Sequence, residues 1–208
     1  MNRERSVTVV RAESLARTPW KNGGGVTAQL AIWPQGAEFA RGEFDARVSA
    51  ADVAASGPFS EFRGFERVLV IVAGAGLRLD HGEHAPRARL RPLEPYRFAG
   101  EWPTHGELVD GAVRDFNVFT RRGVLRAEVE AARLGQRTLR SPLEARHALV
   151  QVVAGAAFAR VSGEEEPFEL GQGDSLRIDE ARAGDELELR GADAATVVIV
   201  ARLVAVSA

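Results

Sequence analysis

The 208-residue chain has a formal net charge of −2 and no cysteine. This composition excludes disulfides, thiol nucleophiles and thiolate metal sites, and it gives no indication of a nucleic-acid partner. No apolar stretch is long enough to span a membrane, and residues 1–14 lack the apolar run of a secretory signal. The sequence therefore predicts a cytoplasmic protein without a membrane partner.

Alternation of apolar and polar residues with period two dominates the chain and predicts β-strands. Residues 26–33 and 43–49 alternate in this way, whereas residues 67–72 and 149–153 are short apolar runs typical of strands buried on both faces. Residues 196–204 form the last expected strand. Residues 125–134 fit either a strand or a short helix. Many short strands separated by Gly and Pro predict an all-β sandwich or barrel with little helix.

An internal repeat with an offset of roughly 80 residues relates two parts of the chain. Residues 68–79 and 148–159 are similar strand–glycine–strand segments, and the following turns keep the same spacing. This rhythm is typical of a cupin-type jelly roll, and two such units predict a compact bicupin. We expect an N-terminal unit at residues 1–124 that carries the motifs and a smaller C-terminal unit at residues 125–208.

The histidines do not have the pattern of a cupin metal site, which needs inward-facing His and carboxylate side chains. His81 and His84 have the wrong spacing for one face of a strand, and residues 80–86 look like an exposed hairpin loop. His105 and His147 are isolated in the sequence. We therefore predict neither a metal nor another cofactor.

The only lysine of the chain, Lys21, lies in the segment Trp20-Lys-Asn-Gly-Gly-Gly25, although every other basic residue is Arg. One interpretation is an ordinary turn. The other is a binding site, because the amides of Gly23 and Gly24 can form a concave donor nest for an anion and Lys21 adds a positive charge. Asn22 would contribute a carboxamide to that site.

Polar side chains also alternate along the predicted strands. Arg47 and Ser49 share one face of their strand, Asp115 and Asn117 share one face of another, and Arg67 begins a buried strand. On a solvated sheet this pattern would be routine. Inside a jelly roll it would form a polar pocket, in which arginines bind a carboxylate and the other residues bind an amine, amide or hydroxyl.

Four motifs in the chain resemble the HutD/Ves family, and together they cover most of residues 18–123. The motifs are Trp20-Lys-Asn-Gly-Gly-Gly25, Arg47-Val-Ser-Ala-Ala-Asp-Val53, Gly57-Pro-Phe-Ser60 with Phe62, Gly64 and Arg67, and Arg114-Asp-Phe-Asn-Val118 with Arg121-Arg-Gly123. The resemblance implies an RmlC-like bicupin without a required metal. It also implies a binding or regulatory protein of histidine utilisation with no established catalytic step.

The resemblance carries a set of ligand-binding residues onto this chain, namely Trp20, Lys21, Asn22, Arg47, Ser49, Arg67, Asp115 and Asn117. Phe119 stands where many family members have Met, which changes the expected shape of the pocket. The predicted site consists of these residues together with Gly23 and Gly24 of the turn.

The leading hypothesis is a small-molecule binding protein for a carboxylate-bearing metabolite, with urocanate or formylglutamate as the suspected ligand. A second hypothesis is a metal-free isomerase or hydrolase, in which Asp115 is the general base and Lys21 the electrophile. A third is a structural scaffold, in which the motifs lock two β-units together. We expect a homodimer, because jelly rolls expose sheet edges that need covering.

Overall fold

The computed structural model describes residues 4–206, and these are almost entirely β-structure. The two helices in this range are the single 3-10 turns Ala12–Ser14 and Phe39–Arg41. No helix in the described range has the length and apolar character that crossing a bilayer requires. The chain divides into an N-terminal unit, Ala16–Arg126, and a C-terminal unit, which combines residues up to Leu15 with those from Ala127 onward.

The strands follow one another closely along the chain. They are β1 (Ser6–Val10), β2 (Arg17–Pro19), β3 (Gly25–Trp33), β4 (Ala46–Val53), β5 (Gly57–Pro58), β6 (Phe65–Ala73), β7 (Leu77–Asp80), β8 (Ala88–Leu90), β9 (Tyr96–Ala99), β10 (His105–Leu108), β11 (Val113–Arg121), β12 (Leu125–Arg133), β13 (Thr138–Pro142), β14 (His147–Ala154), β15 (Ala157–Val161), β16 (Phe168–Leu170), β17 (Ser175–Asp179), β18 (Glu186–Gly191) and β19 (Val197–Ala205).

The N-terminal unit is a sandwich of two sheets. Its six-stranded sheet has the order β2-β3-β4-β11-β6-β9, and its four-stranded sheet has the order β5-β10-β7-β8. Leu69 and Ile71 of the larger sheet share a hydrophobic core with Leu77 and Leu79 of the smaller one. The face of the six-stranded sheet that carries Leu69 and Ile71 is therefore the inner face of this unit.

The C-terminal unit has the same construction. Its five-stranded sheet has the order β1-β17-β14-β19-β12 and its four-stranded sheet the order β13-β18-β15-β16. Val150, Leu176 and Val200 of the larger sheet pack with Ala159 and Leu189 of the smaller one. The first strand belongs to this unit because residues Ser6–Val10 pair with β17.

The sequence repeat corresponds to a repeat in strand pairing. In the N-terminal unit β6 pairs with β9 and β11, and β7 pairs with β8 and β10; in the C-terminal unit β14 pairs with β17 and β19, and β15 pairs with β16 and β18. We expected the boundary between the two units after residue 124, and it lies after Arg126. Residues up to Leu15, which were expected in the N-terminal unit, belong to the C-terminal unit.

The predicted all-β class is confirmed, and each of the five expected strands is present with shifted ends. Strand β4 begins at Ala46, three residues after the expected start, because the 3-10 turn Phe39–Arg41 and the residues after it precede the sheet. The ambiguous segment 125–134 is a strand that borders β19, since a place at the edge of an existing sheet satisfies half of its backbone groups.

Candidate functional site

Antiparallel pairing aligns polar side chains from three central strands on the inner face of the N-terminal unit. Strand β11 lies between β4 and β6, and directly opposed residues point to the same face of a sheet. The aligned rows are Arg47–Phe119–Arg67, Ser49–Asn117–Leu69 and Ala51–Asp115–Ile71. The structure places these polar side chains in the interior of the unit rather than on a solvated face of the sheet. Arg47, Ser49, Arg67, Asp115 and Asn117 are each at most 9% exposed.

Arg67 is enclosed by aromatic rings. Its guanidinium carbon lies 4.5 Å from the centroid of the Phe119 ring, 4.8 Å from that of Phe98 and 5.0 Å from that of Phe59. One amino group donates to the Ser60 carbonyl at 3.4 Å, while the buried Nε has no hydrogen-bond acceptor within residues 4–206. Burial lowers the pKa of Arg67 to about 9, and the positive charge of Arg47 also lowers it. Three ring faces stabilise the cation, but they do not neutralise it.

The side chain of Arg47 donates more hydrogen bonds within the protein than that of Arg67 does. Its Nε donates to Gln29 Oε1 at 2.9 Å, one amino group donates to Ser49 Oγ at 3.3 Å, and its guanidinium carbon lies 3.9 Å from the Phe39 centroid. Burial lowers the pKa of Arg47 to about 10. Gln29 is exposed, so the Arg47 end of the inner face lies next to solvent.

Asp115 and Asn117 carry acceptors without donors. The Oδ1 atoms of both residues are buried and have no hydrogen-bond partner in the described part of the chain. Burial raises the pKa of Asp115 to about 7, the charge of Asp52 adds to this increase, and the Arg67 charge and the Ala51 backbone N–H oppose it. Buried polar atoms in folded proteins are normally paired. These two acceptors and the Arg67 Nε therefore define a place where a bound molecule would supply the missing partners.

The charges of this group do not balance. Neither Arg47 nor Arg67 forms an ion pair with a carboxylate of residues 4–206, although the charge of Asp115 raises the pKa of Arg67. Two buried cations thus face one carboxyl group whose ionised form is disfavoured. Removing an ion from water without a partner costs several kcal/mol, and a bound anion would offset part of this cost.

Among its described residues, the C-terminal unit has no such polar group at the corresponding inner positions. Its central strands β14 and β19 place Ala148, Val150, Val152, Val198 and Val200 in the core. These side chains fill the interior by apolar packing. The polar group therefore distinguishes the N-terminal unit from its structural repeat.

His81 is a site residue that the sequence did not reveal. The expectation of an exposed loop is wrong for this residue, which is fully buried at the end of β7, whereas His84 is exposed. The His81 Nδ1 lies 2.8 Å from Thr104 Oγ1, and its Nε2 lies 3.1 Å from the Tyr96 hydroxyl. Burial lowers the pKa of His81, and the positive charge of Arg67 contributes to this decrease. His81 and Tyr96 thus extend the polar group beyond Arg67.

The turn around Lys21 lies outside the buried polar group, although its composition suggested an anion-binding site. Lys21 and Asn22 are exposed, so neither is part of the buried group. The Gly23 N–H donates to the Trp20 carbonyl at 3.0 Å, and the Gly24 N–H donates to Asn22 Oδ1 at 3.0 Å. Both amides are therefore engaged within the turn. The anion nest expected at Gly23 and Gly24 is not formed.

Trp20 connects this turn with the inner face. Its indole N–H donates to Thr27 Oγ1 at 2.7 Å, and its ring packs against the core that contains Ala51 and Val53. Thr27 is aligned with Ala51, which in turn is aligned with Asp115. Trp20 thus covers the end of the inner face at which Asp115 lies, while Lys21 remains outside.

Metal ligands do not converge at this site. Within the described range, His, Asp and Glu side chains nowhere come together in groups of three or more that could hold a metal ion. What the arrangement does offer is two cations, two unpaired acceptors and aromatic walls. This chemistry suits recognition of a small polar molecule.

Paired antiparallel sheets with a polar group on one inner face define a cupin-like jelly-roll protein. More narrowly, the chain belongs to the HutD family, because the model of that family matches residues 12–199.

Individual relatives agree with this assignment. The chain is 39% identical over 111 residues to an uncharacterized 21.2 kDa protein from the 3′ region of hutC in Pseudomonas putida; this match covers 53% of the chain and 56% of that protein. It is 36% identical over 138 residues to the protein Ves of Cronobacter sakazakii, covering 66% of the chain and 71% of Ves. The structure of HutD from Pseudomonas fluorescens SBW25 superposes with a TM-score of 0.76 at 30% identity, covering 97% of this chain and all of that one.

Proposed function

We propose that this protein binds a small carboxylate-bearing metabolite on the inner face of its N-terminal unit, and that binding serves an accessory or regulatory role in histidine utilisation in the cytoplasm. Urocanate and formylglutamate remain the suspected ligands. The observation that carries the proposal is the buried pair of arginines, Arg47 and Arg67, which have no carboxylate partner in residues 4–206. The place of a relative in the hutC region supports the link to histidine utilisation.

Burial of the two arginines destabilises the folded state but favours binding of a carboxylate. An unpaired buried cation destabilises the folded state, whereas a bound carboxylate recovers charge-assisted hydrogen bonds in a low-dielectric setting. The unpaired Nε of Arg67 is one donor for such a carboxylate. Gln29 of the neighbouring strand β3 and Ser49 of the same strand β4 position Arg47.

A thermal-shift and calorimetric comparison of wild type with Arg67→Met tests the proposal. Met keeps an unbranched apolar side chain at this buried position but removes the guanidinium charge that lies against the three rings. Arg89→Met is the matched control, because Arg89 is exposed on β8 of the same unit. At a ligand concentration of 100 Kd we expect about 2.7 kcal/mol of stabilisation, several degrees in Tm, for wild type and Arg89→Met.

Arg67→Met should lose this shift while remaining folded by circular dichroism. An equal shift in Arg67→Met would place binding elsewhere. If acetate, urocanate and formylglutamate all fail to bind wild type, the proposal is wrong.

A metal-free enzyme is the second candidate, and Asp115 is the observation that favours it. A buried carboxyl group whose pKa lies at about 7 is suited to accept a proton near neutral pH. Lys21 is exposed, so the electrophile of such an enzyme would be Arg67 rather than Lys21. NMR spectra of each acid incubated with wild type and Asp115→Asn test this candidate: product formation that requires Asp115 supports it, and an unchanged spectrum with bound ligand supports binding alone.

A further inference from the structure

We propose that residues 34–41 form a strap that opens and closes the Arg47 end of the inner face of the N-terminal unit, and that the Phe39 ring is its seal. The strap controls how fast a solute reaches Arg47 and Arg67. The identity of that solute rests on the proposed binding function. The opening itself is a property of the ligand-free protein and is measurable without any ligand.

Two aromatic rings from irregular segments cover the row that contains the arginines. Phe119 lies between Arg47 and Arg67 in that row. The centroid of the Phe39 ring lies 6.0 Å from that of Phe119, and the Phe62 centroid lies 5.0 Å from it. Phe39 and Phe62 contact each other, with centroids 4.9 Å apart, and both residues are half-buried. These two rings therefore separate the buried arginines from solvent.

The opposite end of the inner face is closed by a packed core. Val53, Ile71 and Val113 at that end are at most 4% exposed and belong to one hydrophobic cluster. Trp20 packs against the same cluster and donates its indole N–H to Thr27 Oγ1. Opening this end would separate several fully packed side chains, whereas opening the other end moves side chains that are already half-exposed.

The strap is attached to the rest of the unit by side-chain packing. Its hydrogen bonds stay within residues 34–42, including those of the Ala37 and Arg41 N–H groups. The ion pair between Glu38 and Arg41 is internal to the strap as well. Ala37 and Phe39 pack against the aromatic cluster beneath the strap. Opening the strap therefore releases a few apolar contacts and breaks no hydrogen bond between it and the described strands.

The two ends of the strap are fixed, and each has a glycine close to it. The Asp45 N–H donates to the Trp33 carbonyl at 2.7 Å, so the chain leaves and rejoins the sheet at one point. Arg121 donates to the Gly42 carbonyl, also at 2.7 Å. Gly36 and Gly42 have φ angles of +85° and +66°. Because glycine adopts positive and negative φ with similar ease, these two positions can change conformation as the strap moves.

Phe39 also contacts one of the charges that it covers. Its ring centroid lies 3.9 Å from the Arg47 guanidinium carbon. A cation over the face of a ring is stabilised by the negative potential of that face. The closed strap therefore stabilises Arg47 in the absence of an anion, and opening the strap exposes the same guanidinium to an incoming solute.

Hydrogen exchange of the Arg67 Nε–H, followed by nitrogen-15 NMR, tests the strap in the ligand-free protein. This atom is buried and has no acceptor within residues 4–206, so its proton exchanges when water reaches the inner face. Phe39→Ala should speed the exchange about tenfold or more, because a tenfold change corresponds to only about 1.4 kcal/mol of lost packing. Phe158→Ala is the matched control, since Phe158 is also half-buried against an arginine, Arg190, but belongs to the C-terminal unit. It should leave the exchange unchanged.

A reagent the size of a small metabolite gives a second readout. Phenylglyoxal reacts with guanidinium groups, and peptide mapping by mass spectrometry measures the reaction at each arginine. In wild type we expect slow reaction at the buried Arg67 and fast reaction at the exposed Arg89. Phe39→Ala should speed the reaction at Arg67 about tenfold or more and leave that at Arg89 unchanged.

Amide exchange on the central strand β11 separates strap opening from global unfolding. The Val118 N–H exchanges when the sheet itself opens, so faster exchange at Arg67 with unchanged exchange at Val118 supports the strap. Phe39→Leu keeps an apolar side chain and should give the same pattern with a smaller change. Exchange at Arg67 that rises only together with that at Val118 in both variants, or that does not rise at all, overturns the strap.

These outcomes are independent of the binding function. If the strap opens as expected but no carboxylate binds wild type, the proposed function is wrong and the strap is supported. If carboxylates bind in an Arg67-dependent manner while Phe39→Ala leaves both the exchange and the phenylglyoxal reaction of Arg67 unchanged, the function is supported and the strap is overturned.

Discussion

Arg67 and Asp115 attract each other across the inner face of the N-terminal unit, yet burial dominates the protonation of both. The Asp115 charge raises the pKa of Arg67 and the Arg67 charge lowers the pKa of Asp115, but burial brings the two values to about 9 and about 7. Near neutral pH the arginine is charged, while the carboxyl group is close to its titration point. The site is therefore positive in net charge and responds to pH.

The raised pKa of Asp115 predicts a pH-dependent contribution to stability. The folded state holds the proton up to about pH 7, whereas the unfolded chain releases it near the ordinary aspartate value of 3.8. Between these values the folded state binds more protons, so the Asp115 contribution to stability decreases as pH rises and is constant above pH 7. Asp115→Asn removes this penalty. Urea unfolding should show the variant gaining stability over wild type from pH 4 to pH 8, by an amount on the order of a few kcal/mol.

Comparison with Asp80→Asn controls for the general pH dependence, because Asp80 has the opposite shift. The Gly82 backbone N–H lowers the pKa of Asp80, and Asp80 also pairs with Arg87. The Asp80 contribution to stability is therefore lost as pH falls, the reverse of that of Asp115. A stability difference between wild type and Asp115→Asn that is the same at pH 4 and pH 8 would contradict the assignment for Asp115.

The burial of Arg47 and Arg67 predicts that the ligand-free protein gains stability when either charge is removed. At pH 5.5, where Asp115 is largely protonated, Arg67→Met should stabilise the ligand-free protein by about 1–4 kcal/mol, because it replaces an unpaired buried cation by an apolar side chain. Arg47→Met should gain less, since it leaves Gln29 and Ser49 without their hydrogen-bond partner. Denaturant unfolding measures both. A loss of stability in Arg67→Met would mean that the three ring contacts outweigh the burial of the charge.

The hydrogen bonds of His81 predict its tautomer. Thr104 donates its hydroxyl proton to the Trp102 carbonyl at 3.1 Å, so its oxygen accepts from His81 Nδ1–H, and His81 Nε2 accepts from the Tyr96 hydroxyl. Nitrogen-15 NMR should therefore find the proton on Nδ1 and a titration of His81 below the usual pKa range. Tyr96→Phe should cost about 1–3 kcal/mol because a buried acceptor loses its donor. A proton on Nε2 would contradict this assignment, because His81 would then donate to the Tyr96 hydroxyl and accept from Thr104.

The alternation of side chains explains how much of the fold the sequence could predict. Strand β3 has a period-two pattern long enough to define its faces, and β6 is recognisable as a short apolar run. The repeat of β6 and β7 in β14 and β15 is visible as similar sequence. The faces of β4 and β11 follow from the same rule, so the residue pattern alone groups Arg47 with Ser49 and Asp115 with Asn117.

The remainder of the site depends on pairings between residues far apart in the chain. Nothing local indicates that Arg67 lies beside Phe98 and Phe119, or that His81 in a polar segment meets Thr104 and Tyr96. The Gly23 and Gly24 amides illustrate the opposite problem. Composition shows that a glycine turn can bind an anion, but only the turn geometry shows that its N–H groups are already bonded.

The glycines of the turn provide a paired test of close packing. A Cβ on Gly25 would lie 2.6 Å from the Asp52 carbonyl oxygen and 3.0 Å from the Trp20 ring, whereas a Cβ on Gly23 would meet nothing within 4 Å. We expect Gly25→Ala to cost about 1–3 kcal/mol through overpacking. Gly23→Ala should cost about 1 kcal/mol, because Gly23 has a φ of +70°. Urea midpoints measure both, and equal costs would contradict the packing of Trp20 over Gly25.

The effect of replacing Lys21 on the Tm tests the scaffold hypothesis, in which the turn stabilises the fold. If the motif locked the fold through its lysine, Lys21→Ala would lower the Tm strongly. Lys21 is exposed, and an exposed side chain without a special contact usually changes stability by no more than about 0.5 kcal/mol when it is replaced. We therefore expect Lys21→Ala to retain the wild-type Tm within about 2 °C and Asn22→Ala to cost about 1 kcal/mol, because Asn22 caps the Gly24 N–H. Thermal denaturation of both variants checks the order, and a larger loss for Lys21→Ala than for Asn22→Ala would favour the scaffold.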